Sequence, residues 1–450
     1  MAANQSASVS PSDGNRFKPS LTFSQIINMN VGFFGIQYSF GLQQSAVNPI
    51  YDFLGANPDQ IPMLNLAGPV TGLLIQPIIG AMSDKTWHPR WGRRKPYFLV
   101  GALVCSLALF LFPFSSSLWM AAGLLWVLDA GNNTAMEPYR AFIADKLPTH
   151  QYATGFLSQS FFTGLGITLA NISLFVFQLF ITGSHGSIPY WVFASFFLGT
   201  VCSIGSVWWS MHTTPEIPPT DAEIAVLRAN QKGVLAPFIE IFAAIKEMPS
   251  VMWQLALVYL FQWYALFCYW QNNSKSIALS VWNTTPTENK QLYETAVGWA
   301  SLVNGWYNIV TFLSAFGLVW LANKYSPRLV HAICLVIAGL GLLAFPHITD
   351  KYLLFLPMAG FGVAWASMMG IPYLMVVGDI PKERYGVYMG IINMMIVVPM
   401  IIQNLTFGYV LKHFLANDAR HAISFAGVFL LLAAAATLLI RARPPLLPQP

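Results

Sequence analysis

Apolar residues gather into long stretches along this chain, separated by short polar intervals. Twelve stretches are long enough to cross a bilayer, at about 22–45, 62–83, 97–115, 118–144, 153–182, 188–211, 250–274, 295–321, 329–348, 352–378, 385–411 and 422–441. Roughly twenty apolar residues at about 1.5 Å each cover a hydrocarbon core of about 30 Å, so each stretch predicts a transmembrane helix. Several contain Pro or Gly, as such helices often do. The longest polar interval, 212–249, holds Pro215, Pro218, Pro219, Asp221, Glu223, Arg228, Lys232, Glu240, Lys246 and Glu247. It predicts a linker with a short amphipathic helix near 220–231 and divides the chain into six helices plus six. Residues 1–20 are polar and lack the apolar core and cleavage site of a signal peptide, which predicts a disordered tail. The division is therefore a tail at 1–20, a first half at 21–211, the linker at 212–249, a second half at 250–441 and a tail at 442–450.

Composition agrees with the pattern. Of 450 residues, 55% are hydrophobic and only 9% charged, where soluble domains carry about 25% charged residues. A polytopic membrane protein is predicted, all-α, in contact with lipid throughout. Seventeen Lys and Arg fall on the side of the two termini, five on the other, with Arg140 within the membrane. The positive-inside rule then places both termini in the cytoplasm. The net charge of +5 reports this topology and needs no nucleic-acid partner. Cys105, Cys202, Cys268 and Cys334 are scattered singly, and no His pair has ligand spacing, so neither a metal site nor a cofactor is expected.

The exception to the apolar pattern is the fourth stretch. Asp129, Asn133, Glu137 and Arg140 lie within it, and eleven helical residues turn about 1,100°, so Asp129 and Arg140 share one face about 16 Å apart along the axis. An ionisable group at that depth costs several kcal/mol and is a functional candidate by default. Burial disfavours the charged form of a carboxyl group and a nearby cation favours it. An acid set between those effects can take a proton on one side and release it on the other. The bland alternatives are an Asp129 satisfied by neighbouring amides, and an Arg140 that anchors the helix end or pairs with Glu137 at i,i+3.

The two halves carry an internal repeat. Pro138-Tyr-Arg-Ala-Phe-Ile-Ala-Asp145 matches Pro372-Tyr-Leu-Met-Val-Val-Gly-Asp379 at Pro, Tyr and Asp, each time at the end of a fourth helix. Duplicated six-helix halves around a midplane site are one architecture of secondary transporters. Arg140 aligns with Leu374, Glu137 with Ile371 and Asp129 with Val363, so ion coupling is expected in the first half. The second half offers neutral polar and aromatic groups: Gln262, Trp263, Tyr264, Trp270, Gln271, Asn304, Trp306, Tyr307, Asn308, Asn393 and Gln403.

Specific motifs add a resemblance. The loop Gly80-Ala-Met-Ser-Asp84-Lys85-Thr-Trp-His-Pro-Arg90-Trp-Gly92-Arg93-Arg94-Lys95 resembles the major facilitator signature Gly-x-x-x-Asp-Arg-x-Gly-Arg-Arg, with the longer spacing of sucrose–proton symporters. The fourth helix matches Asp-x-x-Asn-Asn followed by Pro-x-Arg-Ala-x-x-Ala-Asp at Asp129, Asn132, Asn133, Pro138, Arg140, Ala141, Ala144 and Asp145. Gly41-Leu42-Gln43, Gly68-Pro69-Val70 and Tyr388-Met389-Gly390 through Asn393 are similar as well. The chain thus resembles the sucrose/maltose branch of the glycoside–cation symporters, in its bacterial form. That resemblance implies a major facilitator fold of twelve helices in two pseudo-symmetric halves, residing in a plasma membrane (the inner membrane of a bacterium). It implies proton-coupled import of a disaccharide, such as sucrose, maltose or a related glucoside, by alternating access. Proton coupling is expected at Asp129, Glu137 and Arg140. Sugar hydroxyls are expected at Gln43, Asn132, Asn133, Arg140, Gln262, Trp263, Gln271, Asn304, Asn393 and Gln403. Asp84, Arg93 and Arg94 are expected to form a gating loop whose charges join the halves in one state and separate in another.

Other classes remain in view. A membrane enzyme is disfavoured because His-Glu-x-x-His, Gly-x-Ser-x-Gly and Asp-rich metal motifs are missing. A sodium-coupled melibiose-like symporter, a uniporter and a sugar receptor without transport are the other readings.

Overall fold

A computed structural model of the protein describes residues 18–89, 91–218, 236–376 and 385–440. The amphipathic helix expected near 220–231, most of the N-terminal tail, the C-terminal tail, Arg90, Asp379 and the side chain of Asp84 lie outside these described residues. Among the described residues, twelve long helices build the fold. The first half holds α1 (Phe23–Phe53), α2 (Ala67–Lys85), α3 (Lys95–Leu111), α4 (Leu118–Lys146), α5 (Tyr152–Phe180) and α6 (Tyr190–Thr213). The second holds α7 (Ser250–Trp282), α8 (Lys290–Lys324), α9 (Pro327–Ala344), α10 (Phe355–Val376), α11 (Tyr385–Phe414) and α12 (Ala419–Leu439). The linker contributes a further helix, Ala236–Lys246.

Local chemistry sets many of the ends. Thr22 and Gln25 form a reciprocal capping box on α1, and Ser117, Asn289 and Asp418 cap α4, α8 and α12 through their side chains. Asn283 closes α7 in the left-handed conformation, at φ 47°. Between α5 and α6 lies a two-residue antiparallel ladder, Ser184–His185 on Ile188–Pro189, that the hydropathy pattern does not signal.

Nine of the described helices are long and apolar enough to cross a membrane by composition alone. The long helices outside that set are α1, α4 and α8, whose buried faces carry amides, hydroxyls or the Asp129 carboxylate. Two helices run well past their apolar stretches. The expected end near 45 for the first helix moves to Phe53, and the expected end at 274 moves to Trp282 in α7. Asn272, Asn273, Ser274 and Lys275 are buried by neighbouring helices, so polarity does not end α7 there.

Packing repeats between the halves. In the first, α1 packs on α5 and α6, α4 on α2 and α3, and α3 on α6. In the second, α7 packs on α11 and α12, α10 on α8 and α9, and α9 on α12. Adding six to each helix number converts one set into the other. The same operation relates two of the interfaces between halves, α5 on α8 and α11 on α2. This is the two-fold pseudo-symmetry that the repeat of Pro138 and Pro372 predicts. Polar contacts joining the halves gather towards the end away from the termini, at Asn48, Asp52, Asn65 and Trp191.

Between apolar helices in lipid, association depends on close packing rather than on a hydrophobic drive, so small residues mark the crossings. A Cβ on Gly35 of α1 would stand 2.2 Å from Ser206 Oγ and 2.3 Å from the Cys202 carbonyl oxygen of α6. Gly35→Ala is therefore expected to cost about 1–3 kcal/mol through overpacking, read as a lowered thermal midpoint in detergent. Gly205→Ala, where a Cβ meets nothing within 4 Å, is the neutral control. Equal midpoints for the two variants would contradict this crossing.

Candidate functional site

Asp129 lies eleven residues into α4 and is fully buried. Gln43 of α1 donates its Nε2 to Asp129 Oδ1 at 2.8 Å. Among the described residues, Asp129 Oδ2 has no hydrogen-bond partner, and neither does Gln43 Oε1. Gly68 of α2 faces this pair: a Cβ there would stand 3.5 Å from Asp129 Oδ2 and 3.7 Å from Gln43 Nε2. The carboxyl group is thus held by one neutral donor and open on its other oxygen towards a glycine.

The neighbouring amides are occupied. Asn133 Nδ2 donates to Thr71 Oγ1 and to the Asp129 carbonyl, while Asn133 Oδ1 accepts from Gln76 Nε2 at 2.6 Å. Asn132 donates to Ser39 and accepts from the Cys105 thiol. In this conformation both asparagines bind α4 to α1, α2 and α3. Lower on the same helix, Arg140 Nη1 lies 3.8 Å from Glu137 Oε2, with side chains 47% and 37% exposed. Arg140 also approaches Met136 Sδ at 3.6 Å. The predicted stripe is present on one helix, yet its carboxylate and guanidinium are a helical rise of about 16 Å apart and make no direct contact.

The second-half candidates divide in the same way. Gln271 links Asn404 and Gln403 through its two amide atoms, at 2.8 and 2.9 Å. Asn304 accepts from Tyr269 and Asn273 and donates to Ser45 of α1, a hydrogen bond that crosses between halves at 3.2 Å. By contrast, both amide atoms of buried Gln262, the indole Nε1 of Trp263 and Oε1 of Gln403 have no partner among the described residues. Trp365 of α10 packs edge-on against Trp263 and Trp270, and Trp270 donates to the Tyr307 hydroxyl. Tyr264 pairs with Thr406 and Asn308 with the Asn304 carbonyl. Trp306 is exposed, and Asn393 is half-buried on α11. A buried polar group without a partner is costly unless a ligand or water meets it. The second-half groups left open are neutral donors and acceptors, suited to hydroxyl-rich ligands and offering no countercharge to an ion.

The loop between α2 and α3 is organised by a residue outside the sequence prediction. Glu216, just past α6, accepts the backbone N–H groups of Arg93, Arg94 and Lys95 at 2.7, 2.9 and 2.9 Å. The Arg94 and Lys95 groups are orphan donors at the start of α3, where a carboxylate is favoured. Gly92, at φ 79°, leaves room, since a Cβ would fall 2.6 Å from the Glu216 carboxylate. Arg94 donates to Asp145 of α4 at 2.7 Å and to Ser83 of α2, and Lys95 and Lys146 donate to the Met211 and Pro215 carbonyls. Arg93 Nε reaches the Ser83 carbonyl at 3.3 Å. These contacts tie α2, α3, α4 and the end of α6 together within the first half. The sequence signal for Glu216 is an acid following Pro215 in a linker that faces a strongly basic loop.

Known proteins resemble this chain. Rice sucrose transport protein SUT5 (Oryza sativa) is 22% identical over 441 residues, covering 83% of this chain and 79% of the relative. Rice sucrose transport protein SUT1 is 33% identical over a shorter 138-residue segment, 26% of each chain. Among solved structures, nucleoside transporter NupG superposes with a TM-score of 0.70 at 13% identity, covering 94% of this chain and 99% of that one. A D-xylose-proton symporter gives 0.65 at 14% identity, covering 93% and 98%. At those identities the structures speak to the fold alone. The Major Facilitator Superfamily model matches residues 29–403, from within α1 into α11. With six-plus-six helices, two-fold packing and that match, the chain belongs to the Major Facilitator Superfamily.

Proposed function

We propose that this chain is a proton-coupled secondary transporter that imports a disaccharide of the sucrose or maltose type by alternating access. The observation that carries the reading is Asp129, a buried carboxyl group with one oxygen held by Gln43 and the other unpartnered. Such a group can gain and lose a proton without dismantling a network. The neutral open groups of Gln262, Trp263 and Gln403 supply donors and acceptors for sugar hydroxyls, with the Trp263, Trp270 and Trp365 rings available for the C–H faces. The likeness to sucrose transport proteins over most of the length supports the substrate class. Lys and Arg enriched on the side of the termini support cytoplasmic termini in a bacterial inner membrane.

In this reading Asp129 is protonated from the outer face, the sugar binds across the halves, and the halves rock to expose both to the cytoplasm. Arg140, lower on the same face and nearer the cytoplasmic end, meets the sugar or the carboxylate in other states of the cycle. The test is uptake into proteoliposomes with pH and sodium gradients imposed separately. Uptake is expected to follow the pH gradient and to be electrogenic. One proton gains about 2.3 kcal/mol per 100 mV and about 1.4 kcal/mol per pH unit, enough together for accumulation of several hundredfold. Uptake that requires sodium and ignores pH at saturating sugar would replace the proton by sodium. Binding without any uptake would favour a receptor.

A further inference from the structure

At the end of the bundle away from the termini, a buried ion pair joins the two halves. Lys275 Nζ of α7 lies 3.3 Å from Asp52 Oδ1 of α1, with side chains 7% and 3% exposed. Tyr293 of α8 donates its hydroxyl to Asp52 Oδ2. Both oxygens of a first-half carboxylate are therefore held by the second half. Phe53 packs edge-on against Trp191 and Tyr293, which keeps water from the pair. Beside it, Trp191 Nε1 donates to Glu294 of α8 at 2.9 Å, a second contact between the halves.

We propose that Asp52, Lys275 and Tyr293 form the latch that closes the halves at this end and parts once in each transport cycle. The proposal rests on the alternating-access reading only in requiring that the halves separate; neither the sugar nor the coupling ion enters it. A charge buried without a partner is strongly disfavoured, whereas a buried pair gains little over apolar packing of the same shape. The closed state with both charges paired and the open state with both in water are thus the two favourable arrangements. A partly opened state, with one charge still buried and its partner gone, is not. That makes the contact all-or-none, as a switching interface requires. The nearby Lys412–Asp59 pair contrasts with it: at 3.7 Å and 57% and 23% exposed, it is screened by water and holds little.

The test uses the full-length protein in lipid nanodiscs, carrying spin labels at Asn57→Cys and Thr287→Cys, an exposed position at this end of each half. The background is Cys202→Ser, the other three cysteines being buried. Distances are read by double electron–electron resonance. Lys275→Met leaves the Asp52 carboxylate stranded only in the closed state, so the ratio of long-distance to short-distance populations is expected to rise at least tenfold. Asp52→Asn, which strands Lys275, is expected to shift it in the same direction. A parent-like distance distribution in both, with only the thermal midpoint lowered, would make the pair static scaffolding and overturn the latch. Where the single variants do not fold, the double variant Asp52→Asn/Lys275→Met buries no lone charge and decides the matter. Because closing then desolvates no charge and the pair itself gains little over neutral packing, its open population is expected to fall below the parent's, and an unchanged or larger one overturns the latch. No sugar or gradient is involved, so this result stands apart from the outcome of the uptake assay.

Discussion

Asp129→Asn is expected to lower sugar accumulation from several hundredfold to simple equilibration, while sugar binding or exchange persists. The variant side chain has nearly the shape of a protonated carboxyl group, and its carbonyl oxygen can still accept from Gln43 Nε2, the bond now made to Asp129 Oδ1 at 2.8 Å. The buried site loses a titratable group and acquires no unpaired charge, so the fold is expected to be retained with an unchanged or higher thermal midpoint. What disappears is the choice between two protonation states. A transporter locked in the neutral state can carry sugar down its own gradient but cannot draw on the 2.3 kcal/mol or so per 100 mV that a moving proton supplies. Counterflow with preloaded sugar and net uptake under an imposed pH gradient separate the two functions. Full concentrative uptake by a well-expressed Asp129→Asn protein would remove Asp129 from coupling.

The twelve-helix fold was legible because bilayer thickness imposes one length on every spanning helix, and twelve apolar stretches of that length stand out. The two-fold relation was legible in one short match, Pro138 with Pro372, and the helix pairings bear it out. Helix ends were less so. Hydropathy stops at the first polar cluster, whereas α7 continues through Asn272, Asn273 and Lys275 because other helices, not water, receive those side chains. The buried charge of Lys275 therefore falls outside the apolar pattern, although Gln271-Asn272-Asn273-Ser274-Lys275 is an unusually polar continuation of an apolar helix. Composition alone also fails to separate amides that build the scaffold from amides that are open. Asn133 and Gln262 look equivalent in sequence; in space the first is fully engaged by Thr71, Gln76 and the Asp129 carbonyl, and the second has no partner at either atom. Partners on another helix decide this, and no local pattern carries that information.

At Arg140, Lys is expected to fail almost as badly as Ala, with about a ten- to hundredfold loss in sugar affinity or gradient-driven uptake. A hydrogen bond to a charged group contributes about 1.5–3 kcal/mol, and the planar guanidinium presents five donors in a fixed fork that can bridge two hydroxyls or clamp a carboxylate. An ammonium is a compact point charge and cannot reproduce that geometry. In the present conformation Arg140 makes only loose contacts, with Glu137 at 3.8 Å and with Met136 Sδ at 3.6 Å, and half its surface is exposed. These contacts leave the fork free to engage a ligand or a carboxylate in another state. They would equally suit an anchor near the cytoplasmic interface, and in that role Lys should substitute readily because both side chains snorkel. The comparison therefore needs Arg140→Lys and Arg140→Ala at matched membrane expression, with sugar affinity and pH-driven uptake both measured. Near-normal values for Arg140→Lys would assign Arg140 to anchoring. The sugar would then rest on the open neutral groups of Gln262, Trp263 and Gln403, and the first half would contribute Asp129 and its Gln43 partner alone.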